Sequence, residues 1–354
     1  MLNCESDIRD LLQDIVDIES VSGNEAELAD QIYASLEKYP HLHLIRLGNL
    51  IVAETRLHTP QRVAIAGHLD TVPVAGNLPS RREIINGREA LIGRGTCDMK
   101  GGLAVQLNLA ATLTEPTRDI TWIFYDCEEI ESSRNGLGHL AKVRPDLLQA
   151  DMAILMEPTN GVVEAGCQGT VRVSITTQGV AAHSARSWLG HNAIHDMAGA
   201  LQILNNYEAS TVLVDGLAYR EGLNAVGISG GIAGNVVPDH CELLVNYRFA
   251  PDKDEHQAIQ VVRELFAGYE IKVTDQAPGA APGLRTQAIA SFVETMGSVG
   301  PKYGWTDVSR FSALGIPALN YGPGDPNLAH ADGEFVFLDS VEDCRDSLRE
   351  WLIA

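Results

Sequence analysis

Paired cysteines are missing from this 354-residue sequence: Cys4, Cys97, Cys127, Cys167, Cys241 and Cys344 are scattered, with no C-x-x-C pair. That argues against a disulfide framework or a zinc ribbon and for reduced, buried thiols. Positive charge is also scarce. Lys and Arg number 26 against 47 Asp and Glu, and the formal net charge of -21 opposes binding to nucleic-acid backbones or anionic lipid. No apolar run approaches the roughly 18 residues of a membrane span. The opening "MLNCESDIRDLLQDIVDIES" carries acids from its fifth position and has no unbroken apolar core, so it reads as neither secretory signal nor transit peptide, and a cytoplasmic location is expected. The Gly-rich "GRGTCDMKGG" lacks Gly-x-Gly-x-x-Gly spacing and has Gly after Lys100, which supports neither a dinucleotide fingerprint nor a phosphate loop.

What is present is material for one large or two medium domains: 45% hydrophobic and 21% charged residues. Ile8, Leu11, Leu12, Ile15 and Val16 follow helical spacing, as do Leu28, Ile32 and Leu36. "LHLIRLGNLIVAETR" predicts two short strands around a Gly-Asn turn, and "RVAIAG" a third. The apolar strands "ITWIFYD" and "DMAILME" then alternate with helix-like segments at Lys100 to Leu113 and Leu137 to Val143, which argues for an α/β core. After Glu157 the pattern changes. "TVRVSITTQG" alternates as a half-exposed antiparallel strand does, and the helix "NAIHDMAGALQILNNY", the strands "LNAVGISG" and "CELLVNYRF", the helix in "DEHQAIQVVRELFAG" and the strand "YEIKVTD" can pack as one sheet under two helices. "QAPGAAPGL" reads as a return link to the core strand "GIPALNYG". The expected organisation is a first domain, 1–167 and 279–354, interrupted by a smaller α+β domain, 168–278.

Chemistry-bearing residues recur where core strands end. His68 in "GHLD", Asp98 in "GRGTCDMKGG", Glu128 and Glu129 in "YDCEEIE" and Glu157 in "LMEP" fall about one βαβ unit apart, which would deliver all of them to one sheet edge. Carboxylates converging there would repel one another and call for a cation. A His and carboxylate set without thiolate suits zinc, cobalt or manganese, and several carboxylates permit two metals about 3.5–4 Å apart. His330 in "PNLAHADGE" is the candidate second His; Cys97 and Cys127 are weaker candidate ligands.

In order along nearly the whole chain, "GHLDTVP", "GRGTCDMKGG", "DCEEIES", "MEPT", "AAHSARSWLGHNAI", "GNVVPDHCELLVNYRF" and "HADGEFV" resemble the dinuclear zinc aminoacylase and carboxypeptidase family, which includes succinyl-diaminopimelate desuccinylases, acetylornithine deacetylases and glutamate carboxypeptidases. The resemblance implies a zinc-peptidase catalytic domain, a mixed sheet flanked by helices, interrupted by a lid that makes a homodimer. It implies two Zn2+ per subunit, with Co2+ or Mn2+ as substitutes. Asp98 would bridge, His68 and Glu157 would complete one site, and Glu129 and His330 the other. Glu128 would be the general base activating a bridging water, and Asp70 the carboxylate that orients His68. His183 would stabilise the oxyanion from the partner subunit, and Asn235 and Arg248 would contact substrate.

Within the family, "YDCEEIE" and "WTDVSRFSALGIPALNYGPGDPNLAH" most resemble the actinobacterial desuccinylases. That likeness implies hydrolysis of N-succinyl-LL-2,6-diaminopimelate to succinate and LL-2,6-diaminopimelate, a step towards lysine, with Ser309 and Arg310 near the diaminopimelate end. N-acetylornithine deacetylation is the alternative, and a dipeptidase or carboxypeptidase activity comes third. Cys167 and Gln168 stand where some desuccinylases carry a basic residue, which leaves recognition of the acyl carboxylate open. Paired-metal phosphoesterases carry Gly-Asn-His-Asp or Gly-Asp-x-His-Gly signatures, and these are absent.

Overall fold

A computed structural model describes residues 1–354. The first apolar stripe forms the helix Ile8–Val16, with all five expected positions buried and the Asp7 carboxylate capping the Arg9 amide at 2.9 Å. The second forms Ala26–Leu36. An eight-stranded mixed sheet follows in the order His43–Leu47, Leu50–Glu54, Asp119–Tyr125, Arg62–His68, Met152–Leu155, Ala318–Asn320, Val163–Ala165, Val299–Pro301. Its centre is parallel. His68 stands opposite Tyr125, Ala66 opposite Leu155, and Leu155 opposite Asn320, so the loops after these strands leave from one edge. The central strands Arg62–His68, Asp119–Tyr125 and Met152–Leu155 are buried almost throughout, as their unbroken apolar runs require.

The crossover helix Gly101–Thr112 is buried from Gly101 to Ala111. A turn of π-helix, Thr96–Lys100, precedes it; Asp98 there has non-helical φ/ψ, and the Asp98–Met99 peptide is cis. Gly102 is a position of close approach, because a Cβ on it would collide with the main-chain oxygen of Met156.

The chain divides into two compact units, Met1–Ala165 with Gly283–Gly300 and Arg310–Ala354, and Gly166–Pro282 with Pro301–Ser309. The second therefore differs from the expected 168–278. Cys167 and Ala280 exchange two main-chain hydrogen bonds of 3.0 Å, which zips together the two ends of this stretch. The later segment joins it because Trp305 Nε1 donates to the Pro278 oxygen at 3.1 Å and the Cys167 thiol faces the Thr306 oxygen at 3.8 Å.

This second unit holds a four-stranded antiparallel sheet in the order Gly222–Gly230, His240–Phe249, Gly169–Gln178, Glu270–Ala277. Val171, Val173, Ile175, Leu243, Val245 and Tyr247 pack with Ala193, Ala200, Ala258 and Val262 of its helices and with Met197 between two of them. Two expectations are corrected. The single helix after Asn192 is two, Ala193–Asp196 and Ala198–Asn205. The strand Gly169–Gln178 is mostly buried rather than half-exposed, and its polar Ser174 is covered because it donates to Glu242 at 2.5 Å. No helix is long and apolar enough to cross a membrane.

Candidate active site

The strand Arg62–His68 ends by delivering His68 to the carboxyl edge of the sheet, where it is buried. Its Nδ1 donates to the main-chain oxygen of Asp70 at 2.9 Å, which directs Nε2 to Asp98 Oδ1, 3.2 Å away. The other oxygen of Asp98 lies 3.4 Å from His330 Nε2, which in turn is 2.8 Å from Glu129 Oε1. Asp98 thus stands between two imidazoles.

Donor atoms of His68, Asp98 and Glu157 fall within 4.8 Å of one another, as do those of Asp98, Glu129 and His330, and those of His68, Glu128 and Glu129. The five expected metal ligands therefore converge, with Asp98 common to two groups and Glu128 beside them. Burial alone would lower the His68 pKa, but the hydrogen bond to Asp98 and the charges of Asp70, Asp98 and Glu128 hold it well above the usual value. His330 is pushed up to about 10 by its hydrogen bonds to Asp98 and Glu129. Burial would raise the Asp98 carboxyl, yet His330 and His68 hold it well below the usual range. So dense a negative cluster around two imidazoles suits divalent cations, and the donors are the hard and borderline oxygen and nitrogen types. Neither weaker candidate joins the groups around Asp98: the Cys97 thiol donates to the Asp325 oxygen at 2.9 Å and the Cys127 thiol faces Glu25 at 3.5 Å.

Asp70 acts differently from the expectation that its carboxylate orients His68. The carboxylate stands 3.6 Å from Nδ1, beyond a hydrogen bond, while the main-chain oxygen of the same residue holds the ring. Other donors occupy it: the amides of Glu128 (2.9 Å) and Glu129 (3.0 Å) and the Ser22 hydroxyl (2.7 Å). Asp70 therefore clamps the backbone that carries the paired glutamates, and its charge still raises the pKa of His68.

In the second unit, His183 lies on the short strand Ala182–His183, paired with Val236–Val237, so the loop bearing Asn235 runs beside it. His183 Nδ1 accepts the Ala185 amide at 3.1 Å. Its neutral ring consequently carries the proton on Nε2. Arg248 sits in the strand His240–Phe249 with a buried Nη1 that has no hydrogen-bond partner, and burial lowers its pKa. Gln168 is committed to the Arg220 oxygen at 2.7 Å. Ser309 is buried, its amide donating to the Thr306 oxygen. Arg310 belongs to the first unit, where it donates to Ser132 Oγ at 3.0 Å in the loop after Glu129.

Sequence reasoning gave no role to Ser22, Arg94 or Glu334. Glu334 had a signal: it follows His330 by four residues inside "HADGE".

Residues 64–354 match peptidase family M20/M25/M40. A Mycobacterium tuberculosis protein provisionally named a succinyl-diaminopimelate desuccinylase is 53% identical over 99% of both chains. The succinyl-diaminopimelate desuccinylase of Corynebacterium glutamicum is 46% identical over 97% of this chain and 95% of its own. A dinuclear metal-binding peptidase of Bacillus subtilis shares the fold, with a TM-score of 0.73 at 15% identity over 99% of this chain and 98% of its own. The match across residues 64–354 and the full-length likeness to the Corynebacterium enzyme give one conclusion: the chain belongs to peptidase family M20/M25/M40.

Proposed function

We propose that this protein is a metal-dependent amidohydrolase that cleaves N-succinyl-LL-2,6-diaminopimelate to succinate and LL-2,6-diaminopimelate. The observation that carries the chemistry is the pair of donor groups sharing Asp98, with the Glu128 carboxylate alongside. The substrate rests on the likeness to the Corynebacterium glutamicum enzyme. His68, Asp98 and Glu157 would hold one cation and Asp98, Glu129 and His330 the other, with zinc the metal this mixture of imidazole and carboxylate favours. Two such cations, when bound, polarise a carbonyl oxygen and lower the pKa of water.

The chain's own residues do the rest. Glu128 takes the proton from the attacking water on its carboxylate as the new C–O bond forms, then delivers it to the amine nitrogen as the C–N bond breaks. Asp70 keeps Glu128 in place through its amide. His183, with its ring proton on Nε2, donates to the oxyanion; Asn235, Arg248, Ser309 and Arg310 bind substrate, with Arg248 offering its unpaired Nη1 to a carboxylate.

We further propose a homodimer in which the second unit is both lid and interface and His183 serves the partner subunit. Support comes from the edge strand Gly222–Gly230, where Val226 (61%), Ile228 (55%) and the nearby Ile232 (87%) are exposed apolar residues. Six free buried thiols support a reducing, cytoplasmic setting.

The test is kcat/KM of zinc-loaded protein on N-succinyl-LL-2,6-diaminopimelate beside N-acetylornithine, with a chelated control. A large succinyl preference that chelation abolishes is expected. Preference for N-acetylornithine would move the assignment to a deacetylase with the same site, and activity on neither would overturn it.

A further inference from the structure

Glu334 is a buried carboxylate among the ligand loops that the proposed reaction does not use. Its Oε1 accepts the amides of Cys97 (2.9 Å) and Asp98 (3.1 Å), and its Oε2 accepts the amide of Gly95 (3.0 Å) and Arg94 Nη1 (3.0 Å). Three main-chain donors of one loop thus converge on one side chain. Arg94, equally buried, extends the contact by donating to the oxygens of Ala331 (3.1 Å) and Pro73 (3.1 Å). The Gly93 amide also donates to the Glu334 oxygen at 3.1 Å, where the strand Phe335–Phe337 begins to pair with Arg88–Ile92.

One residue therefore touches two ligand-bearing loops. Asp98 has to present one oxygen towards His68 and the other towards His330, and its own amide is held by Glu334. His330 sits four residues upstream on the same loop, with its backbone in the left-handed region at φ 64. We infer that Glu334 is a positioning residue for the metal centre: by gathering the amides of residues 95, 97 and 98 and the Arg94 guanidinium, it sets the orientation of Asp98 and its register with His330. Without the carboxylate, three amides lose their buried acceptor and the Arg94 guanidinium loses its counter-charge, and the loop has to shift to satisfy them. Ligands must be held to within about 0.5 Å for a productive site.

This inference rests on the metal-binding reading above, and it is tested without substrate. Wild-type full-length protein and Glu334→Gln are dialysed against Zn2+, and Co2+ is added to the metal-free forms while visible absorption is followed. Glu334→Gln should remain folded by circular dichroism, bind zinc about 10–100-fold more weakly at one or both sites, and give an altered cobalt band. On substrate, kcat should fall with KM little changed. Wild-type zinc affinity and an unchanged cobalt band in folded Glu334→Gln overturn the inference. Should Glu334→Gln fail to fold, Glu334→Asp keeps the charge on a side chain one methylene shorter; weaker zinc binding in folded Glu334→Asp supports the inference, and unchanged binding or unfolding of both variants overturns it. Wild-type protein that binds no zinc sinks the metal-binding reading itself, a result distinct from the others.

Discussion

At the scale of single residues, the proposed mechanism gives Glu128 and His183 separable duties. Glu128→Gln should retain both metals by elemental analysis and lose about 10²–10⁴-fold in kcat, the span of a lost general base. His183→Ala should keep its metal and lose about 10²–10³-fold, the span of a lost oxyanion donor. Away from the site, Asp119 accepts the amides of Leu57 (2.8 Å) and Thr59 (3.1 Å) and the Thr55 hydroxyl (3.0 Å). Burial would raise its pKa, but these bonds and Arg62 lower it. A carboxyl depressed in the folded state stabilises above the unfolded value of about 3.9 and loses that contribution as pH falls through the folded value. Asp119→Asn should therefore lower Tm at neutral pH, and thermal scans should show the deficit shrinking below about pH 3.9. The convergence of His68, Asp98, Glu129 and Glu157 was legible in the sequence, because strand ends spaced by one βαβ unit share an edge. The clamp made by Asp70 was not, because it depends on main-chain amides whose direction no residue type announces.

At the scale of elements, the helix Gly101–Thr112 approaches Met156 so closely that only glycine fits at position 102. Gly102→Ala should push Met156 and its neighbour Glu157 away, weakening zinc binding in calorimetry while circular dichroism stays close to wild type; unchanged affinity would show that the contact yields. Long apolar runs and 3.6-residue stripes made the central strands and first helices readable. Two hairpins were missed although their turns carried a signal: Asn86-Gly87 joins Arg81–Ile85 to Arg88–Ile92, and Asp215-Gly216 joins Thr211–Val214 to Leu217–Arg220, all four turn residues at positive φ. All four strands are short and their leading strands, Arg81–Ile85 and Thr211–Val214, bury no residue fully, so hydrophobic alternation was too weak to draw attention to them. The closing helix Leu338–Ile353 was missed as well, its apolar face diluted by "EDCRDSLRE".

At the scale of the molecule, the proposed dimer makes the edge strand Gly222–Gly230 a point of control. Ile228→Lys should leave the fold intact and halve the mass in light scattering, and with His183 serving the partner it should also depress kcat; a fully active monomer would exclude a role for His183 in trans. That a second unit interrupts the first was readable from the change in strand pattern after Glu157, but its return to Pro301–Ser309 was not, since a nine-residue segment with no sheet pattern gives no hint of its allegiance. The backbone crosses between the units after residues 165, 282, 300 and 309. An engineer excising 166–282 as a cassette would strand the buried Lys302, Thr306, Asp307 and Ser309 and leave Trp305 without its acceptor at Pro278. The second unit of this chain, moved as a module, must therefore carry two pieces of chain, and a graft spliced at only two junctions should misassemble.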